Sequence, residues 1–253
     1  MTPDEIRAGM AKHTWFHHID LGHGIITPGA GGPDWNQRLE ESADIYYGMG
    51  IKGDSVLDVG AFDGFNSFAA ERRGASRVVA ADYVVWHDGS PCGNRSDVFD
   101  FARTVLESRV EKRVIDIPDM SVASVGRFDH VGFNGIVYHI RNPFSALERM
   151  AEIAVKTISI ETAIDCLDIP RGVALFYPSE PSNPPLTPAT GWGFNSLCMH
   201  AYLKTLGFGT VLEWPTPNDP TKRSIFIGVK PGHCTDYIAA NAAFAKPRFT
   251  GKQ

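Results

Sequence analysis

Ser55-Val56-Leu57-Asp58-Val59-Gly60-Ala61-Phe62-Asp63-Gly64-Phe65 is the stretch that decides the fold. A short apolar run stops at Gly60, and a helical pattern from Phe65 to Arg73 follows, closed by Gly74. A buried strand, a glycine-containing turn and a helix in this order open an α/β sheet, and ligands sit at the carboxyl edge of such sheets. Gly60 and Gly64 leave backbone bare, so a ligand can approach closely. The spacing differs from the dinucleotide pattern GxGxxG, and two acids, Asp58 and Asp63, flank the turn. A pyrophosphate would be repelled there, whereas an ammonium and a sulfonium would be attracted.

The same alternation continues outward. Arg77 to Ala81 is a second strand ending at Asp82, and Asp97 to Glu107 is helical. Arg113 to Ile115 is a third strand and Phe128 to Phe133 a fourth. Phe144 to Ala154 is a helix, Lys156 to Glu161 a fifth strand, and Phe194 to Leu206 a helix ending at Gly207. Strands alternating with helices of this length indicate a parallel sheet covered on both faces. Thr210 to Trp214 and Ser224 to Val229 are joined through Pro215, Pro217, Asp219 and Pro220, which suits an antiparallel edge hairpin. The expected fold is therefore a Rossmann-like α/β domain with a mostly parallel seven-stranded sheet. Residues 1 to 52 are expected to form an N-terminal helical cap, and 53 to 230 the ligand-binding domain. Within it, 162 to 193 reads as a substrate-side loop insertion, and 231 to 253 is a tail.

The composition agrees with one sizeable domain or two small ones. Of 253 residues, 43% are hydrophobic and 21% charged, enough for a large core. The formal charge of −5 does not announce a nucleic-acid surface. No apolar run reaches membrane-spanning length, and the first twenty residues carry no targeting pattern. The expected location is the cytoplasm. The four cysteines, Cys92, Cys166, Cys198 and Cys234, are scattered without a CxxC and read as reduced thiols, with no zinc site or disulfide framework.

Three strand ends carry the ligand chemistry. Beyond the acidic loop, Asp82 at the end of the second strand can accept hydrogen bonds from both hydroxyls of a ribose. Asp116 after the third strand can meet an adenine amino group, while Ile117 covers the ring. Together they describe a nucleoside with a cationic amino-acid tail, S-adenosylmethionine.

Leu57 to Gly64 (LDVGAFDG), Val78 to Tyr83 (VVAADY) and Phe133 to Pro143 (FNGIVYHIRNP) resemble class I S-adenosylmethionine-dependent methyltransferases. Trp15 to Asp20 with Gly29, Asp34-Trp35 and Gly135 to Pro143 are similar to the tRNA wobble-uridine carboxymethyltransferase family and its small-molecule relatives. The resemblance spans residues 14 to 230. It implies that Gly60, with Ala61, lies under the cofactor's methionine part. It implies Asp82 at the ribose, with Tyr83 beside the adenosine, and Asp116 and Ile117 at the adenine. Asn134 and Tyr138 would line the sulfonium region, and Trp35 would close over the cofactor. The basic segment of the tRNA enzymes, which helps hold carboxy-S-adenosylmethionine, has no counterpart here. That departure and the acidic charge favour ordinary S-adenosylmethionine and a small acceptor, with nucleic acid disfavoured and a monomer or homodimer expected.

Methyl transfer to a hydroxyl needs a base. His139, just past the fourth strand, reads as that base or as a structural histidine pinning its loop. His17 and His18 lie in the segment expected to close over the site. His18 reads as a second catalytic candidate and His17 as an acceptor contact, against an exposed pair with no role. Asp58 and Asp63 read as cofactor contacts or as loop-bracing or helix-capping acids. Arg141-Asn142-Pro143 reads as scaffold, with Asn142 capping the next helix and Pro143 beginning it. The insertion Val84 to Arg95 and the Pro-rich run Leu175 to Trp192 are the expected acceptor-facing loops, with Trp192, Asn195 and Arg223 as acceptor contacts. Oxygen is the expected methyl acceptor. The alternatives are nitrogen, a tRNA uridine, and an inactive nucleotide-binding module. A nicotinamide-dependent dehydrogenase comes last.

Overall fold

Ser55–Val59 (β1) and Arg77–Asp82 (β2) are apolar almost throughout, and both are buried nearly end to end, as strands covered on both faces must be. They belong to a computed structural model that describes residues 1–32, 34–89, 94–177 and 191–250. The chain divides into two compact units, Met1–Asp119 and Met120–Gln253.

In the first unit, Pro3–Met10 (α1) starts on a capping box: the Thr2 hydroxyl accepts from the Glu5 amide, and the Glu5 carboxylate accepts from the Thr2 amide. Trp35–Tyr47 (α2) follows, then β1, Phe65–Arg72 (α3), β2, Ser96–Val105 (α4) and Glu111–Val114 (β3). All three strands are parallel; Ser55 pairs with Arg77 through to Val59 with Ala81, and Asp82 pairs with Val114. Phe68 of α3 and Phe99 of α4 stack at 5.4 Å beneath the strands. Burial of such rings stabilises the unit by roughly 1.5–3 kcal/mol each.

The second unit contains Val122–Val125 (α5), Phe128–Gly132 (β4), Pro143–Ile153 (α6), Ala154–Ala163 (β5), Ala174–Phe176 (β6) and Trp192–Phe194 (β7). Ser196–Thr205 (α7), Thr210–Pro215 (β8), Arg223–Val229 (β9) and Thr235–Ala240 (α8) complete it. β4 and β5 are parallel, and β9 runs antiparallel to both β5 and β8. The principal sheet has seven strands, β3-β2-β1 from the first unit and β4-β5-β9-β8 from the second; β6 and β7 form a separate antiparallel pair. The expected α/β fold with its antiparallel edge is thus present.

Several boundaries differ from the sequence reading. The third strand lies at Glu111–Val114, two residues earlier than expected, because this edge strand is mostly exposed and carries no apolar run. Phe194 ends β7 and is not helical; Asn195 caps α7, its side chain accepting from the Cys198 amide. Pro143 does begin α6, but Asn142 caps it without a side-chain bond. Residues 231 to 253, expected as a tail, are structured in part. They fold on their own unit: Trp214 of β8 stacks on Phe244 at 4.8 Å and meets Tyr237 of α8 at 6.3 Å.

Candidate active site

The turn after β1 holds an uncommon backbone. Gly60 and Gly64 have φ of 74° and 95°, and between them Phe62, a residue with a full side chain, has φ of 53°. Such a residue is held against a cost of about 1–2 kcal/mol. Its amide donates to Asp82 Oδ2 at 3.0 Å, and its carbonyl accepts from Trp86 Nε1 at 2.8 Å. Its ring lies 5.1 Å from Phe16 and 5.6 Å from the Arg95 guanidinium. At β1's end the Gly60 amide donates to Ala81 O at 2.7 Å, and the amide of buried Ala61 reaches the same oxygen at 3.2 Å.

The three acids at this edge have different environments. Asp58 is 1% exposed and accepts from Ser67 Oγ at 2.5 Å. Burial pushes its carboxyl up to about 7, with Ser67 and His17 pulling the other way. Asp63 is also 1% exposed, but its Oδ2 accepts from the amides of Phe16 at 3.0 Å and His17 at 2.8 Å, and its Oδ1 meets His17 Nδ1 in a short contact. Burial would raise this carboxyl; the His17 ring and the amides outweigh it and hold Asp63 below the usual range. Asp82 accepts from Phe62 and from the Val85 amide at 3.1 Å, and burial still raises it. Asp58 and Asp63 therefore brace the loop and the N-terminal segment, and neither faces solvent. Asp63 is not the helix cap either, since Gly64 stands at that position.

Around them lie the more open residues. Asp116 and Ile117, two and three residues past β3, are half-buried; Asp116 Oδ1 accepts from the Ile117 amide at 2.8 Å. Tyr83 is exposed and stacks flat on His87 at 4.1 Å. Trp35 begins α2 with Gly31 against its indole, where a Cβ would stand 2.2 Å from the ring. His18 packs likewise on Gly29, at 1.9 Å from a built Cβ. The buried Trp35 Nε1 and His18 Nε2 have no hydrogen-bond partner among the described residues. Buried polar atoms of this kind call for a ligand or water.

The second unit gathers the remaining candidates. Tyr138, 6% exposed, accepts on its hydroxyl from Arg223 Nη2 at 2.7 Å, and the guanidinium lies 4.5 Å over its ring. Arg223, expected as an acceptor contact, is paired inside with Glu161, which takes Nη2 at 2.5 Å and Nε. Despite burial, Glu161 and Tyr138 hold Arg223 above the ordinary guanidinium range. Burial raises the Tyr138 phenol, Arg223 opposing. Asn134 donates to Ser159 Oγ at 3.1 Å, while its buried Oδ1 lacks a partner among the described residues. His139 is exposed, its ring 4.0 Å from that of Tyr138. The amides of Gly191 and Trp192 donate to Tyr138 O at 2.8 and 3.1 Å, which ties the β6–β7 pair to this cluster. Trp192 is half-buried, 5.2 Å from exposed Phe176.

Asn195 is 2% exposed and fully engaged: Oδ1 accepts from the Val173 and Cys198 amides, and Nδ2 donates to Arg171 O at 2.6 Å. It clamps backbone and has no atom left for an acceptor. Residues 90–93 of the polar insertion, and 178–190 of the Pro-rich run, lie outside the described residues, as does Cys92. No group of three metal-ligating side chains is found among the described residues. A groove of about 820 Å³ in the second unit, lined among others by Arg127, Glu148, Val155 and Lys230, contains none of the candidates.

Sequence reading missed Phe62, Trp86, Ser67 and Glu161. Glu161 alone carried a signal, a lone acid closing the alternating stretch Thr157-Ile158-Ser159-Ile160.

No protein-family model matches the chain, and no curated protein is significantly similar in sequence. Solved structures are similar in fold. The N-terminal domain of EvdMO1, determined in the presence of S-adenosylhomocysteine and D-fucose, is 19% identical with a TM-score of 0.65 over 91% of this chain and 98% of that one. Against the whole of EvdMO1 the TM-score is 0.60, and the chain covers 47% of its length. The 1,6-didemethyltoxoflavin N1-methyltransferase of Burkholderia thailandensis, with 1,6-didemethyltoxoflavin and S-adenosylhomocysteine bound, is 16% identical with a TM-score of 0.55 over 76% of this chain and 78% of that one. Magnesium protoporphyrin IX methyltransferase from Synechocystis PCC 6803, with S-adenosylhomocysteine bound, is 16% identical with a TM-score of 0.54 over 77% of this chain and 82% of that one. At these identities the likeness establishes the Rossmann-like methyltransferase fold. None of the neighbours named here is a tRNA wobble-uridine enzyme, so the expected likeness to that subgroup is not shown.

Proposed function

We propose that this protein is an S-adenosylmethionine-dependent methyltransferase acting on a hydroxyl of a small molecule. One observation carries the reading. Asp82 holds the turn after β1 through the Phe62 amide, and Asp116 with Ile117 follows β3, on a fold whose neighbours hold S-adenosylhomocysteine. S-adenosylmethionine supplies a methyl group on a positively charged sulfur.

The first unit's own residues fit that molecule. Asp82 offers its remaining lone pairs to the ribose hydroxyls, and half-buried Ile117 covers one adenine face beside Asp116. Gly60 and Ala61 bring backbone to the methionine part. The partnerless Trp35 Nε1 is a donor available to it. Asp58 and Asp63 act through their field on the positive sulfur, not by contact. In the second unit, taken by itself, Tyr138 is oriented by Arg223, and Trp192 offers an aromatic face. Most of the rate then comes from alignment of the acceptor oxygen.

Titration calorimetry with S-adenosylhomocysteine and with NAD⁺ tests the assignment. Heat with the first and none with the second is expected; the reverse overturns it. Turnover with a panel of hydroxylated and aminated small molecules then identifies the acceptor.

A further inference from the structure

We propose that His17, aligned by Asp63, is the base that takes the acceptor's proton. This rests on the methyl-transfer reading, and it moves the chemical role from His18 and His139 to a residue read from sequence only as an acceptor contact.

The arrangement begins with Asp63. One buried carboxylate takes three donors from adjacent residues: the Phe16 amide, the His17 amide and the His17 ring. A carboxylate held ionised only accepts, so Nδ1 carries a proton, and in the neutral ring Nε2 has the lone pair. Nε2 makes no hydrogen bond among the described residues. The side chain is 16% exposed, so one edge of the ring is open. The other edges are walled by aromatic rings: Phe65 is stacked at 5.6 Å, with Phe16 and Phe62 edge-on at 4.9 and 6.2 Å. The backbone is strapped as well. Thr27 Oγ1 donates to His17 O at 2.7 Å and accepts from the Ile19 amide at 2.7 Å. An imidazole with a fixed tautomer, a fixed plane and one free lone pair is the build of a general base.

Its placement supports the role. Asp63 lies between Gly60 and Gly64, in the turn proposed to lie under the methionine part. The base is therefore tied to the same five-residue turn. His18 is less suited, since its Nε2 is buried against the Gly29 segment. Asp63 is in contact with the His17 ring, and Asp58 interacts with it through space.

The step balances. A lone pair of the acceptor oxygen would form the C–O bond as the C–S bond breaks, and the C–S bonding pair would stay on sulfur, leaving a neutral thioether. The O–H proton passes to His17 Nε2. The positive charge lost by sulfur reappears on the imidazolium beside Asp63, and the proton then leaves to solvent.

The test uses the full chain with ¹⁵N-labelled histidine. Long-range ¹H–¹⁵N spectra of neutral His17 are expected to show the Nδ1–H form, and Asp63→Asn is expected to abolish that preference. Diethyl pyrocarbonate is expected to acylate His17 in the free protein and to be blocked by saturating S-adenosylhomocysteine. His17→Gln, checked for folding by circular dichroism, should bind S-adenosylhomocysteine within about threefold of the parent. If S-adenosylhomocysteine binds but His17 is in the Nε2–H form, or is equally reactive with and without it, His17 is a structural tether and the proposal is overturned. If S-adenosylhomocysteine does not bind, the methyl-transfer reading falls first and the base assignment falls with it.

Discussion

Asp58 and Asp82 stand at neighbouring strand ends and differ in what surrounds them, so their substitutions should read out differently. Asp58 has one hydroxyl partner and a folded-state pKa of about 7 against a reference of 3.8. Between those values the native chain keeps a proton that the unfolded chain releases. Stability from this group is therefore fully present below pH 4, falls as pH rises, and levels off above pH 7. Asp58→Asn keeps the Ser67 bond and removes the ionisation. It should flatten this slope and raise stability at pH 8 by on the order of a few kcal/mol, as read from urea midpoints at pH 5 and 8. Asp82→Ala should weaken S-adenosylhomocysteine binding by about tenfold or more in calorimetry. It should also cost about 1–3 kcal/mol, because the Phe62 and Val85 amides lose their acceptor. At this scale the sequence exposed the acids but not their partners. Asp63 closes on amides 46 and 47 residues away, a pairing that no local pattern encodes.

Between elements, the Glu161–Arg223 pair stitches β5 to β9 where Glu161 pairs with Ile225 and Ala163 with Arg223. Glu161→Gln leaves the guanidinium inside with half its partner, and should destabilise the protein by about 3 kcal/mol in chemical denaturation. It should also loosen Tyr138, which shares Arg223 Nη2. The elements legible in advance include β1 and β2, where Val56, Leu57 and Val59 are broken only by Asp58 and Val78 to Ala81 is unbroken. β3 is exposed at Glu111 and Arg113, so its polarity concealed it. β6 has two exposed residues of three, Leu175 and Phe176, and exists by pairing with β7, so neither strand announced itself.

For the whole molecule, the alternation of strands and helices was enough to anticipate a seven-stranded sheet with an antiparallel edge, because that pattern is set by burial on two faces. The division into two units near residue 119 was not legible: no composition shift marks it. The net charge of −5 bears on partners. If the acceptor is a small molecule, tRNA at about 10 µM should show no binding in fluorescence anisotropy at about 150 mM salt. Steep salt-dependent binding would instead revive a tRNA substrate.

The reversed direction of β9 has a consequence for how the chain is made. Glu161 enters the middle of the second unit, but its compensating cation arrives 62 residues later, at the first residue of β9. Chains leave the ribosome from the N-terminus onward. A nascent chain arrested before Arg223 therefore holds Glu161 without the guanidinium that pairs with it in the folded chain.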